Sequence, residues 1–302
     1  MRIAWNTNVK GIYSMGYFLA VANRKGGVGK STVSVMLAHA FAVWGGRRVL
    51  LIDLDAQSNS SLILTGNAQW IEAQKNSRNI AAYIEDRLHG QDPISDYIQR
   101  NTGDIETDSG RPPPIDLLAG SLRFEDMQDE LISFYSQTAR SFRIAKERCA
   151  DHFRRALKSA APLADMIIMD CAPGISNATA AALRLADKVI VPFRPDSVSE
   201  FAVDKIATII EGTSPQGLEK IPPTRRRYLC LANYVRPGGQ DRIYIETISA
   251  DHPTLNTQLP MSADLANAFY WSEERQTLTE KYASALSPMH ALYKELSASL
   301  AL

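Results

Sequence analysis

Residues 24–32 read Arg-Lys-Gly-Gly-Val-Gly-Lys-Ser-Thr. Gly26, Gly27 and Gly29 let the backbone turn successive N–H groups inward around phosphate oxygens. Lys30 adds a cation that reaches the β- and γ-phosphates, and Ser31 adds a hydroxyl suited to Mg²⁺. The chemistry open to such a set is the gripping of a nucleoside triphosphate. The spacing departs from the usual Gly-x4-Gly-Lys-Ser/Thr, because Arg24 stands where the first glycine belongs and a second lysine, Lys25, opens the loop. Acidic residues follow at two places. Asp53 and Asp55 begin the run Asp-Leu-Asp-Ala-Gln-Ser-Asn, and Asp170 begins Asp-Cys-Ala-Pro-Gly. An aspartate closing an apolar strand is the arrangement that holds Mg²⁺ in P-loop hydrolases. Each acid alone also reads as a helix cap or a turn residue.

The elements around these residues place them together. Tyr17–Ala22 is a short, mostly apolar run of the kind expected for a buried parallel strand, and Thr32–Trp44 reads as a helix stopped by Gly45-Gly46. Strand, glycine loop and helix put the helix N-terminus and its dipole at the phosphates. Arg48–Ile52 and Met166–Met169 are two further buried-strand patterns. Acids just past their carboxyl ends lie in the crevice where open α/β sheets bind ligands. The expected fold is an α/β P-loop NTPase, a doubly wound, mostly parallel sheet with helices on both faces. Residues 1–16 form an N-terminal extension, and 17–302 a single ATPase domain. From Ser61 to Ala164 the pattern is mainly helical, with helices near 126–135 and 141–159, a short strand over 115–119 and a surface loop over 101–114.

The 302 residues carry 33 Lys+Arg and 33 Asp+Glu, so no overall basic field draws the chain to nucleic acid or anionic lipid. Cys149, Cys171 and Cys230 have no paired spacing, which suits structural thiols in a reducing cytosol. Residues 1–16 lack the apolar core of a secretion signal, and no run reaches membrane-spanning length.

Together the motifs resemble the ParA/MinD family of deviant Walker ATPases, and within it the ParA-type partition and cargo-positioning ATPases, from about Phe18 to about Leu286. The resemblance implies ATP and Mg²⁺ as cofactors. It makes Lys25 the signature lysine that crosses an ATP-sandwiched homodimer to the partner's phosphates. Lys30 is then the P-loop lysine, and Asp55 orients the attacking water. ATP is held by Lys25, Gly26, Gly27, Val28, Gly29, Lys30, Ser31 and Thr32, with Thr32 at the α-phosphate. Mg²⁺ is supported by Ser31, Asp53 and Asp170, the last of which opens switch II. Asn233, ending the strand Leu229–Ala232, stands where the family carries an adenine-contacting asparagine, although a turn residue also fits there. Pro260 opens a segment resembling the loop that closes over the base.

Three positions depart from the family pattern: Ala56 and Ala172 replace prolines, and Ser58 replaces a frequent glycine. An iron–sulfur cluster of the related nitrogenase type is rejected, because Pro173 stands where its cysteine would be.

The resemblance further implies slow hydrolysis, non-specific DNA binding in the ATP state, a ParB-like stimulating adaptor, and a cytoplasmic, nucleoid-associated setting. Candidate phosphate contacts are Arg225–Arg227, Arg154, Arg155 and Lys158, with Arg184 and Lys188; each also reads as an ordinary solvated face. The alternatives are a MinD-like membrane ATPase and a regulatory ATPase that does not bind DNA. The first needs a basic amphipathic C-terminal helix. Here Leu292, Leu296 and Leu300 form a stripe, but Glu295 offsets Lys294, and packing on the domain is the better account.

Overall fold

Apolar residues alternate across two faces along the central strands, and each face is roofed by helices. The computed structural model describes residues 16–90 and 93–300. The proposed N-terminal extension lies, apart from Gly16, outside the described residues. In chain order the strands are β1 (Tyr17–Val21), β2 (Val49–Leu54), β3 (Ile105–Glu106), β4 (Ile115–Leu118), β5 (Met166–Cys171), β6 (Lys188–Phe193), β7 (Tyr228–Ala232) and β8 (Gln276–Thr277). The helices are α1 (Lys30–Val43), α2 (Asn59–Lys75), α3 (Ile80–Leu88), α4 (Phe124–Ser136), α5 (Phe142–Lys158), α6 (Asn177–Leu185), α7 (Ser199–Glu211), α8 (Pro215–Glu219), α9 (Gly239–Asp251), α10 (Ala263–Asn267), α11 (Leu278–Tyr282) and α12 (Leu286–Leu300).

Six parallel strands run in the order β4-β2-β5-β1-β6-β7. Met166 and Ile168 of β5 enter the core shared with α1 and α12, whereas Ile167, Met169 and Cys171 enter the core shared with α3, α5, α6 and α7. This alternation decides where the acids go. Asp170 has the parity of Met166 and Ile168, so it faces α1. Asp53, its register partner on β2, shares that face. Both faces being covered, β2 and β5 are buried throughout, which is why they read as unbroken apolar runs.

Both sheet edges are closed by the chain's own irregular segments. At β4, Gln99 exchanges backbone bonds with Leu117 at 2.8 and 2.9 Å. At β7, Cys230 donates to Pro253 O and accepts from Leu255 N, and Ala232 accepts from Leu259 N, at 2.8–2.9 Å.

The stretch 101–114 differs from the expected surface loop. Thr102, Asp104 and Ile105 are buried, and β3 pairs in parallel with β8. The cause is a remote partner: Lys281 Nζ lies 2.5 Å from Asp104 Oδ2, and both side chains are 1% exposed. At the C-terminus, Leu292 and Leu296 are fully buried in the core that contains α1. Among the described residues no helix is long and apolar enough to cross a membrane.

Candidate nucleotide-binding site

The loop after β1 is fastened before it turns. Asn23 donates through Nδ2 to Pro192 O at 2.8 Å and accepts from Lys25 N at 3.1 Å. Gly27 and Gly29 then take φ of 70° and 84°, which side chains disfavour. Gly29 is the N-cap of α1, and no side chain caps that helix. Its first-turn N–H groups are therefore free to meet an anion. Lys30 is 7% exposed and donates to Lys25 O at 3.3 Å, which holds its ammonium against the loop. Burial lowers its pKa, opposed by Asp170 and Asp55. Gly26, Gly27, Gly29, Lys30, Ser31 and Thr32 line a cleft of about 930 Å³, and Asp55, Gln57 and Pro173 line it as well.

The three acids do different things. Asp53 is fully buried and spends both oxygens inside the chain: Oδ1 accepts from Asp55 N at 3.1 Å, and Oδ2 from Ser61 N and Oγ at 3.0 and 2.6 Å. Through these bonds Asp53 braces the β2–α2 turn at its register position beside Asp170. Gly120 closes the back of this brace, since a Cβ there would lie 2.7 Å from Ser58 Oγ and 2.9 Å from Asp55 O. Asp170 accepts from Ser34 Oγ at 3.1 Å through Oδ1, while Oδ2 has no partner. Burial, then the neighbouring Asp53, pushes its pKa up to about 7. A buried carboxylate with one open oxygen beside the Ser31 turn fits a divalent cation. Among the described residues no group of three His, Cys, Asp or Glu could hold a metal alone. Phosphate and water must complete the shell, the usual situation for Mg²⁺. Asp55 is 7% exposed, accepts from Gln57 N at 3.0 Å and faces the cleft.

Lys25 is engaged within its own chain: Nζ sits 2.5 Å from Asp196 Oδ2, with both side chains about a third exposed. Asp196 also accepts from Val198 N and Ser199 Oγ at the start of α7. Burial would raise the Asp196 carboxyl, but Lys25 and Ser199 outweigh it and hold it below the usual range.

Asn233 is not on the cleft. It is fully buried, donates through Nδ2 to Val28 O at 2.9 Å and accepts from Tyr234 N at 3.0 Å. A Cβ on Gly29 would collide with that amide. Through the bond to Val28 O Asn233 buttresses the P-loop, and its neighbour Tyr234 lines the cleft. Pro260 likewise stands off the cleft, in a parallel bridge with Val235. Ser58, at the position where a glycine is frequent, has φ 53°, the left-handed conformation that glycine adopts without strain. Sequence reasoning missed Ser34, Ser61 and Gly120. Only Ser34 left a signal, lying one turn after Lys30 on the same face of α1.

The arginine run is largely structural. Arg226 is 6% exposed and donates to the carbonyls of Ile221, Asp251 and Leu218 and to the Tyr228 hydroxyl. Arg227 donates to the carbonyls of Leu183, Ala186 and Ile210, and Lys188 to Arg226 O at 3.0 Å. The charged groups of those three are thus engaged within the chain. Arg225, Arg155, Lys158 and Arg184 are exposed, while Arg154 pairs with Asp151 at 3.2 Å.

Comparison with known proteins agrees with this geometry. The AAA domain family AAA_31 matches residues 16–219. The sporulation initiation inhibitor protein Soj of Bacillus subtilis is 29% identical over 178 residues, 59% of this chain and 58% of that protein. The chromosome partitioning protein ParA of Caulobacter vibrioides (strain NA1000 / CB15N) is 32% identical over 177 residues, 58% of this chain and 55% of that protein. The matches thus span little more than half the length of these relatives. Among solved structures, the ATP complex of Cyanothece McdA superposes with a TM-score of 0.66 at 16% identity, covering 96% of this chain and 98% of that one. A putative plasmid partition protein of Borrelia burgdorferi bound to AMPPNP gives 0.63 at 18%, covering 92% and 99%. At such identities the structures speak for the fold. The family match covers well over half of the chain and carries the Lys25-led loop: the chain belongs to the ParA/MinD family of deviant Walker ATPases.

Proposed function

We propose that this chain is a ParA-type positioning ATPase that uses ATP to pair two copies of itself and hydrolyses it slowly to part them. The observation that carries the reading is the Lys25-led P-loop whose Lys30 shares the cleft with Asp55 and feels the charge of Asp170, one oxygen of which is open. In this reading the Gly26–Thr32 amides and Lys30 grip the phosphates. Ser31 and Asp170 hold Mg²⁺, which when bound supplies charge neutralisation at the transferring phosphoryl group. Asp55 orients water at the cleft, and Lys25 exchanges Asp196 for the phosphates of a second copy. A second ammonium there offsets charge only when two chains meet. Non-specific DNA and a ParB-like adaptor are proposed as partners, by analogy with the chromosome partitioning relatives. The buried C-terminal stripe favours this over a MinD-like membrane helix.

The test separates the two lysines. Lys30→Ala is expected to abolish ATP binding. Lys25→Ala is expected to bind ATP normally and to lose most of its turnover, at least about tenfold, as for loss of one charge-stabilising donor. Unchanged turnover in Lys25→Ala would overturn the pairing role, and near-normal ATP affinity in Lys30→Ala the P-loop assignment.

A further inference from the structure

We propose that the aromatic run Phe269-Tyr270-Trp271 recognises the heteroaromatic base of the bound nucleotide. The inference rests on the P-loop reading above. The cleft does not end at the phosphate-gripping turn of α1. Its lining also takes in Leu62, Ile63 and Gly66 of α2, Tyr234, and Phe269, Tyr270 and Trp271, with the Trp271 indole lying against Gly66. At about 930 Å³ the whole is at the upper end of small-molecule sites, roughly 300–1,000 Å³. A triphosphate needs only the glycine-loop end. The rest of the lining mixes these aromatic and aliphatic side chains with the polar Asn59, Thr65, Asn67, Gln69 and Glu273, so a flat ring finds faces to stack on and polar groups for its edge.

Two features show that this wall is built into the fold. First, α2 is interrupted at Gly66, which takes φ 65° and ψ 172°. A Cβ at Gly66 would lie 2.7–2.9 Å from the Trp271 indole, so only glycine lets the ring lie on the helix. Second, the buried Asp104–Lys281 pair clamps the backbone on both sides of Trp271. Asp104 Oδ2 accepts from Ser272 N at 2.9 Å, and Lys281 Nζ donates to Tyr270 O at 3.4 Å as well as to Asp104. Ion pairs removed from water add little net stability; this one ties down the backbone groups of Tyr270 and Ser272 on either side of Trp271. Phe269 is braced in turn by an edge contact to Tyr282, with ring centroids 6.3 Å apart. Tyr270 itself is 75% exposed beside the cleft, an aromatic face held out with no core to pack in. Stacking of a base on such a ring is tolerant of base identity.

The test compares ATP with inorganic tripolyphosphate by titration calorimetry on the full chain. Tyr270→Ala changes an exposed side chain and leaves the fold intact. Trp271→Leu removes the second ring, and Trp271→Phe restores an aromatic there. The expected result is ATP binding weakened roughly tenfold or more in Tyr270→Ala and Trp271→Leu, recovered in Trp271→Phe, with tripolyphosphate affinity unchanged in all three. Unchanged ATP affinity in Tyr270→Ala and Trp271→Leu overturns the proposal. So do equal losses for ATP and tripolyphosphate, which would mean that the wall only supports the loop. A wild-type chain that binds tripolyphosphate as tightly as ATP overturns it while leaving the P-loop reading intact. A wild-type chain that binds neither overturns both.

Discussion

His39 is fully buried in α1, its Nδ1 2.8 Å from the Tyr282 hydroxyl and its Nε2 unpartnered. Burial, reinforced by the Lys281 ammonium, lowers its pKa to about 3. The native chain therefore keeps this imidazole neutral, while the unfolded chain protonates it near pH 6.5. A folded-state pKa below the unfolded one means the stability is fully present above pH 6.5 and is lost as pH falls toward 3. At pH 5 the loss from this residue is about 2 kcal/mol. Thermal melts of wild type and His39→Gln between pH 7 and pH 5 should show the wild type losing more; parallel curves would refute the assignment. None of this is visible in a sequence, where His39 is one polar residue in an apolar helix. Lys30, Ser31 and Asp170 were legible because phosphate chemistry restricts residue type and spacing together. The bond from Asn233 to the P-loop was not legible for the opposite reason: a strand-end position fixes the backbone but not the direction of the amide.

Strands and helices of the central layer were legible because burial on both faces leaves unbroken apolar runs, as in Met166–Cys171. The exceptions depend on partners far away in the chain. The strand β3 exists because Asp104 finds Lys281, and the segment Arg225–Arg227 reads as a basic patch until Arg226 is seen to tie the entry of β7 to the ends of α8 and α9. Removing that guanidinium would strand several buried carbonyls, each worth about 1–3 kcal/mol when left unpaired. Arg226→Ala is accordingly expected to lower unfolding stability by roughly 3 kcal/mol or more, read by denaturant titration. Arg225→Ala, on an exposed neighbour, should change it by less than about 0.5 kcal/mol. Equal effects would return the run to the surface.

Across the whole molecule 33 positive and 33 negative side chains cancel, so attraction to DNA must come from a local arrangement. The proposed function predicts that Asp55→Ala with ATP sediments as a dimer and binds duplex DNA with an affinity that falls steeply with salt, because phosphate contacts release counterions. A monomer in ATP would count against the pairing, and no DNA binding at any salt would move the protein to the non-DNA alternative. The closed sheet edges bear on assembly in a different way. An open edge strand is a template on which a second chain can add its own strand and go on adding, a process no nucleotide controls. Here the peptide groups of Leu117, Cys230 and Ala232 are already spent on Gln99, Pro253, Leu255 and Leu259. The pairing proposed above would therefore run through side-chain surfaces, whose contacts form and dissolve without unzipping a backbone ladder, as a repeating cycle of joining and release would need.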